Sequence, residues 1–445
     1  MAATALSYTY RYAGASEVEA APGSSQLRLA TQVLDGGPRL FLRGRLVSPK
    51  RSGELLLALM EVVDARFHIP GAMLSRILRL ADPVVTCGPE RLRFEAFSQC
   101  CGAYARVDLL EEAVDGELVN PGTTNVDFNS PMRAGLARLS DSSPALLTVG
   151  ADRVELESSR AQVVERKVKL PERWLRGFVE VQAFQARMQP VFTATGGALR
   201  RLLQELRSPK GTSFVSPAGP AIRVHSSAQP GAVAVGGIER LKVLGRAARH
   251  ADRVEVFADE ATGASAWSVY TPDSRFHYVL SPEPSRGFSG EGQALEALAL
   301  GGGGAMGAVR SALRWQSRID PAGISEASMH SREEVNRALA ACAASGLVGF
   351  DLADRAFFHR ELPFDLSLID KHQSRLVNAR KLTEDEAVEL DAVDQAWVTS
   401  GGNRYRVWLG PAPRCTCPWV AKHGSSRGPC KHILAVMAIQ SKGEG

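Results

Sequence analysis

Apolar positions along the chain recur with two periods, and the alternation between them sets out the elements. Period-two or short continuous apolar runs predict strands at Gln26 to Gln32, Arg39 to Val47 and Val84 to Cys87, and one long strand from Arg91 to Leu110. A helical period places Leu55, Leu56, Leu59 and Val62 on one face of a helix from Gly53 to Ala65. Beyond the polar, turn-forming stretch Asn120-Pro-Gly-Thr-Thr-Asn-Val-Asp-Phe-Asn129, strand character returns over Ala145 to Val168. Helices follow near Glu172 to Met188 and Gly197 to Arg207. Ser208-Pro-Lys-Gly-Thr then marks a boundary. After it, strands at Ala221 to His225 and Val254 to Phe257 flank a helix from Ile238 to Ala251, and a hairpin spans Ala266 to Leu280 with Pro272-Asp-Ser as its turn. A sheet with helices packed on it buries these faces most simply, so the fold class is α+β and multidomain.

Gly301 to Gly304 breaks the chain between helical segments; without a preceding strand or a following Gly-Lys-Ser/Thr it reads as a joint rather than a phosphate cradle. The next block, about 305–365, predicts a helix containing Leu313 and Trp315, a short one at Ile324 to Ala327, and a third opened by Ser331 with Glu334 completing a capping box. Strands Leu347 to Phe350 and Ala356 to Phe358 complete a winged-helix-like pattern. Its third helix offers Arg332, Glu333, Asn336 and Arg337 to solvent, a mixed face, and its wing carries Asp351 and Asp354. That charge pattern favours a protein contact over DNA. The expected organisation is 1–207 and 208–300 as α+β regions, 305–365 as the winged-helix-like domain, and 396–441 as a terminal unit.

That last unit carries the strongest chemistry. Cys415-Thr-Cys417, twelve residues, then Cys430-Lys-His432 supply three thiolates and an imidazole, the donor set of a closed tetrahedral zinc site. Strands at Ala396 to Ser400 and Tyr405 to Leu409, joined through Gly401-Gly402-Asn403, precede the first pair. Gly428-Pro429 and the apolar Ile433, Leu434 and Met437 put Cys430 and His432 at the start of a helix. His423, in the intervening loop, is an alternative ligand to His432. The C-x-C-x(n)-C-x-H pattern on a β-β-α unit resembles the SWIM zinc finger, with Pro418, Trp419 and Lys431 also in keeping with that family. The full layout resembles bacterial SWIM proteins associated with a MoxR-type AAA+ ATPase and a von Willebrand A protein. The resemblance implies structural zinc and an accessory role in such an assembly.

Composition adds limits. At 445 residues with 44% hydrophobic and 23% charged content, the chain has ample core for several domains and no apolar run long enough to span a membrane. The first residues lack a secretory signal, and seven cysteines, among them scattered Cys87, Cys100, Cys101 and Cys342, suit a reducing cytoplasm. Adjacent Cys100 and Cys101, read as lying on a strand, should point to opposite faces. Net charge is +5, and from Ala396 onward seven basic residues stand against Glu444 alone. Arg404, Arg406, Trp419, Lys422, Arg427 and Lys431 are therefore candidates for contact with a protein partner, DNA or RNA. His359-Arg-Glu361 reads as a brace for the hairpin, and Asn125 and Asp127 as polar ends of a turn. No catalytic motif is present, so a non-enzymatic adaptor is expected; a DNA-binding protein, and an enzyme with its site in residues 1–300, are the alternatives.

Overall fold

The computed structural model describes residues 20–21, 24–25, 40–68, 83–126, 128–151, 154–159, 161–163, 172–207, 211–301, 303–363, 373–392, 394–410, 412–424 and 426–443. The strand expected at Gln26 to Gln32 and Asp127 lie outside the described residues.

An eight-stranded antiparallel sheet forms the body. Its order is Gln189–Thr195, Arg253–Asp259, Ala264–Tyr270, Ser274–Leu280, Ala103–Leu110, Arg91–Phe97, Val84–Cys87 and Gly122–Asn125. Strands from both sides of the expected boundary at Ser208 are therefore hydrogen-bonded into one sheet. A five-stranded sheet runs Ala161–Val163, Val154–Ser158, Ala145–Gly150, Leu40–Leu46, Val114–Leu118, and a three-stranded one is centred on Thr212–Ala218. The helix Pro49–Asp64 begins with a proline whose fixed φ suits the first turn, and it buries Leu55, Leu56, Leu59, Val62 and Val63 against the sheet. On the strand order alone, a mixed α+β architecture with several sheets is what the periodicity predicts.

Three local expectations are corrected. The long strand at 91–110 is two strands, because Ser98 turns the chain: its carbonyl accepts from Cys101 N at 2.8 Å and its hydroxyl from Ala103 N at 3.0 Å. Cys100 and Cys101 therefore sit in a turn, with Cys101 at φ +54°, rather than on opposite faces of a strand. Asn120 to Asn129 is not one loop: Gly122–Asn125 is the edge strand of the body sheet, and Asn129 caps the helix Ser130–Ala137 through Met132 N at 3.3 Å. The run Ile238 to Ala251 forms two 3-10 helices, Ile238–Gly245 and Ala247–His250.

The 305–365 block holds the helices Met306–Ser311, Pro321–Ser328 and Arg332–Ala344 and the hairpin Val348–Asp351 with Ala356–His359. Ser331 and Glu334 form the expected capping box. Leu313 and Trp315 lie beyond the first helix, Trp315 at φ +61° with its N–H donated to His359 Nδ1 at 2.7 Å, so His359 does brace the hairpin, but through Trp315.

The hairpin is docked on the body. Fully buried Asp351 faces Arg91 Nη1 at 2.9 Å, Arg106 Nη2 at 3.0 Å and Arg93 Nη2 at 3.4 Å, while Arg106 also pairs with Asp108 at 2.8 Å. Asp108, His277 and Asp351 converge closely enough to suggest a metal site. Three guanidiniums already neutralise the two carboxylates, and His277, whose Nδ1 lies 2.8 Å from Ser268 Oγ, is held neutral by burial and by Arg106. The cluster is an ion-pair network tying two parts of the fold together.

Candidate metal centre and the tail lobe

The tail lobe is built on a four-stranded antiparallel sheet in the order Val388–Ala392, Gln395–Ser400, Asn403–Trp408, Arg414–Cys415. Gly401 and Gly402, at φ +58° and +77°, make the two-residue hairpin turn between the central strands, a conformation that side chains with a Cβ resist. One face of this sheet, Ala396, Val398 and Val407, packs on Ile433, Leu434 and Met437 of the helix Lys431–Gly443. The helix Ser374–Glu384 adds Leu376, Ala379 and Leu382 to that core, so the lobe extends upstream of the expected start at 396.

Cys415 ends the last strand, Cys417 precedes a short helix, Pro418–His423, and Cys430 and His432 flank the start of the long one. All four are buried, and their ligand atoms lie within 4.8 Å of one another. His432 Nδ1 is 3.7 Å from Cys415 Sγ and 4.0 Å from Cys430 Sγ. A tetrahedron with metal distances of about 2.0–2.3 Å has edges of roughly 3.5–3.8 Å, so the donors are spaced to close on one zinc ion. The chemistry agrees. Mutual hydrogen bonding, with Cys430 the largest cause, and burial push the Cys417 thiol up to about 12; the Cys415 contact leads in pushing Cys430 up to about 11. Thiols held this way ionise when a cation joins them. His423 lies outside the cluster, its ring 4.5 Å from that of Trp419, so the alternative ligand is set aside.

The six candidate contact residues do not form one patch. Arg404 and Arg406 both lie over the Trp397 ring at 4.8 Å, on the solvent side of the sheet, and pair with Glu389 and Asp391 of the acidic strand Val388–Ala392. Lys422 is exposed. Arg427 turns inward, donating to Gly290 O at 2.9 Å, while Trp419 lies under the Arg375 guanidinium at 4.6 Å. Lys431 donates to Ser400 Oγ at 2.8 Å at the mouth of a cleft beside the thiols.

Sequence reading missed the seam that fixes the lobe to the body. Arg375 donates to Arg427 O at 2.7 Å, Pro429 O at 3.1 Å and Glu291 O at 2.7 Å, and Arg286 pairs with Glu291 at 2.6 Å while donating to Ser426 O at 3.0 Å. Most acceptors are backbone carbonyls of an irregular loop, which leave no signal in residue spacing.

Residues 405–439 match the SWIM zinc finger family. No curated protein matches the chain at a significant level. Among solved structures, proliferating cellular nuclear antigen from Entamoeba histolytica aligns over 55% of this chain and 99% of that one, at 8% identity and a TM-score of 0.36. Among the described residues no helix is long and apolar enough to cross a membrane.

Proposed function

We propose that this chain is a non-catalytic, zinc-stabilised adaptor whose tail lobe contacts a partner protein or nucleic acid and whose body supplies a second docking surface. The observation that carries this reading is the buried Cys415, Cys417, Cys430, His432 set, closed by protein donors on every side as structural zinc sites are, within a segment matching a family of interaction modules. Zinc bound there would supply no chemistry; it would cross-link strand, short helix and long helix. The partner assembly we propose, in the cytoplasm, is a MoxR-type AAA+ ATPase with a von Willebrand A protein, on the resemblance of the layout.

In the test, the tagged full chain is purified, its zinc measured by elemental mass spectrometry, and capture of an ATPase and a von Willebrand A protein encoded beside it is scored. Cys415→Ser with Cys430→Ser should lose both zinc and capture. Zinc content unchanged in that variant would sink the ligand assignment, and capture unchanged without zinc would sink the adaptor role of the lobe.

A DNA-binding protein using a winged helix together with the basic finger is the second reading. Against it stand the internal pairing of Arg404 and Arg406 and the burial of the hairpin carboxylate Asp351 against the body, which leave little free wing.

A further inference from the structure

Among the described residues, the strand Val388–Ala392 of the tail sheet is paired on one side only, with Gln395–Ser400. Thr399 N donates to Ala387 O at 2.9 Å and Leu409 N to Asp394 O at 2.8 Å, which fixes the alternation of the ladder. Val388 and Leu390 stand opposite Val398 and Ala396, whose own backbone groups turn to the strand Asn403–Trp408. Val388 and Leu390 therefore direct their N–H and C=O groups outward, along an edge that no described strand covers. The register shift between Leu390 and Ala392 ends the regular ladder, so any added pairing centres on Val388 to Leu390.

The side chains on this edge are of two kinds. Val388 and Leu390 share the face of Ala396 and Val398, which packs on the helix Lys431–Gly443, yet Leu390 is 54% exposed, so the apolar face runs on past its cover. Charge is one-sided. Between 384 and 394 the chain carries Glu384, Asp385, Glu386, Glu389, Asp391 and Asp394 and no base. Arg404 and Arg406 match Glu389 and Asp391; the other four are exposed and form no ion pair among the described residues.

Open edges are commonly guarded by charge, and the guards here are all acidic. They bar a second copy of this chain, whose edge would set these carboxylates against their own counterparts. They admit a basic strand. Residues of an incoming strand alternate between faces, so those beside Val388 and Leu390 would meet apolar surface and those between them would meet carboxylates.

We propose that the edge Val388–Ala392 docks an extended, alternately basic and apolar segment of a partner protein, which joins the four-stranded tail sheet as a further strand. The outward backbone groups of Val388 and Leu390 supply affinity, and the acidic run selects the charge. The inference rests on the adaptor reading above and names the kind of segment the lobe contacts.

The test uses the full chain with its zinc content measured, and fluorescence anisotropy with a labelled Lys-Val-Lys-Val-Lys-Val peptide. Binding is expected, with hydrogen exchange slowed at the amides of Val388 and Leu390. N-methylation of the peptide at its valines, whose N–H groups would face the edge, should weaken binding at least about tenfold, the loss of two net hydrogen bonds; N-methylation at its lysines, whose N–H groups would face water, should cost less than about threefold. Leu390→Pro, which removes an outward N–H and no ladder bond, and Glu386→Lys with Asp394→Lys, which reverses charge, should each weaken binding at least about fivefold with zinc unchanged. Equal affinity for Glu-Val-Glu-Val-Glu-Val, equal losses from the two N-methylated peptides, unchanged exchange at Val388 and Leu390, or unaltered affinity in both variants would each overturn the proposal. Zinc-loaded protein that ignores the Lys-Val peptide removes the edge assignment alone, whereas a wild-type chain that captures neither neighbour in the capture assay above removes the adaptor reading beneath it.

Discussion

Glu180 shows how one buried carboxyl can report on the seam between body and tail. It sits on the helix Glu172–Arg187 and accepts from Gln293 N at 2.7 Å and Ala294 N at 3.2 Å, where the chain enters the helix Leu295–Leu300. Burial outweighs these bonds and the nearby Arg375, raising its pKa to about 7. The folded state therefore keeps a proton that the unfolded chain releases above the ordinary glutamate range. Stability from this group falls as pH rises through the window from about 4.5 to 7, then levels, with a total cost on the order of 3 kcal/mol. Glu180→Gln keeps an acceptor for both N–H groups and has no proton to lose. Urea unfolding at pH 5 and pH 8 should show wild type losing stability that the variant retains; parallel losses in both proteins would remove Glu180 as the cause. Residues of this kind were invisible in the sequence, while Cys415, Cys417, Cys430 and His432 were legible. Ligand spacing along the chain is fixed by covalent geometry, whereas Glu180 meets partners over a hundred positions away. The candidate contact residues fell between: Lys431 and Trp419 stood out by type, but the inward turn of Arg427 and the acidic neighbours of Arg404 and Arg406 depend on pairing across strands.

At the scale of elements, the hairpin Val348–Asp351 with Ala356–His359 is held by charge in a place without water. Burial works against ionisation of Asp351, yet Arg106 and its neighbours hold this carboxyl well below the usual range. Its contribution is present at neutral pH and is lost only as pH falls below the ordinary carboxylate pKa toward strong acid. Asp351→Ala would leave Arg91, Arg93 and Arg106 facing one fewer carboxylate, a loss of about 3–5 kcal/mol by analogy with broken buried pairs. The check is equilibrium unfolding, with hydrogen exchange at 348–359 rising most; exchange there equal to wild type would mean the hairpin is held by other contacts. A second element-scale prediction concerns Gly428. It has φ +73°, and a Cβ there would come within 2.0 Å of Gly292 O, so Gly428→Ala should lift the ligand loop from the body and speed proteolysis near it. Elements with strong periodicity, such as Pro49–Asp64 and Ala264–Tyr270 with Ser274–Leu280, were readable. The turn at Ser98–Gly102 was not, since Ser-Gln-Cys-Cys carries little turn signal and its φ +54° falls on Cys101. The run Ile238 to Ala251 has helical apolar spacing, but Gly245 in its middle weakens an α-helix, and two tighter helices result.

Across the whole molecule, the two largest apolar cores among the described residues are distinct, with a smaller one inside the 305–365 block. One fills the body between the sheets and the helix Pro49–Asp64; the other lies in the tail lobe and includes Cys415, Cys417 and Cys430 themselves. Metal at the four donors would thus stabilise the second core directly and reach the first through the seam at Glu180, Glu291 and Arg375 and through the helix Leu295–Leu300 packed into the lobe. Removing it should split a single unfolding event into two. With zinc bound, both cores should melt close together, because the seam couples them. After a strong chelator, the lobe should melt first, with the tryptophans Trp397, Trp408 and Trp419 reporting the loss, while the body keeps its β-sheet circular dichroism to nearly its original midpoint. Readded zinc should restore the lobe, since the body remains folded and presents Glu291 O and Gly290 O to receive Arg375 and Arg427 again. Differential scanning calorimetry with and without chelator decides it. A single transition that shifts as a whole would mean the seam is strong enough to make lobe and body one cooperative unit, and that metal at the tail governs the stability of the entire chain.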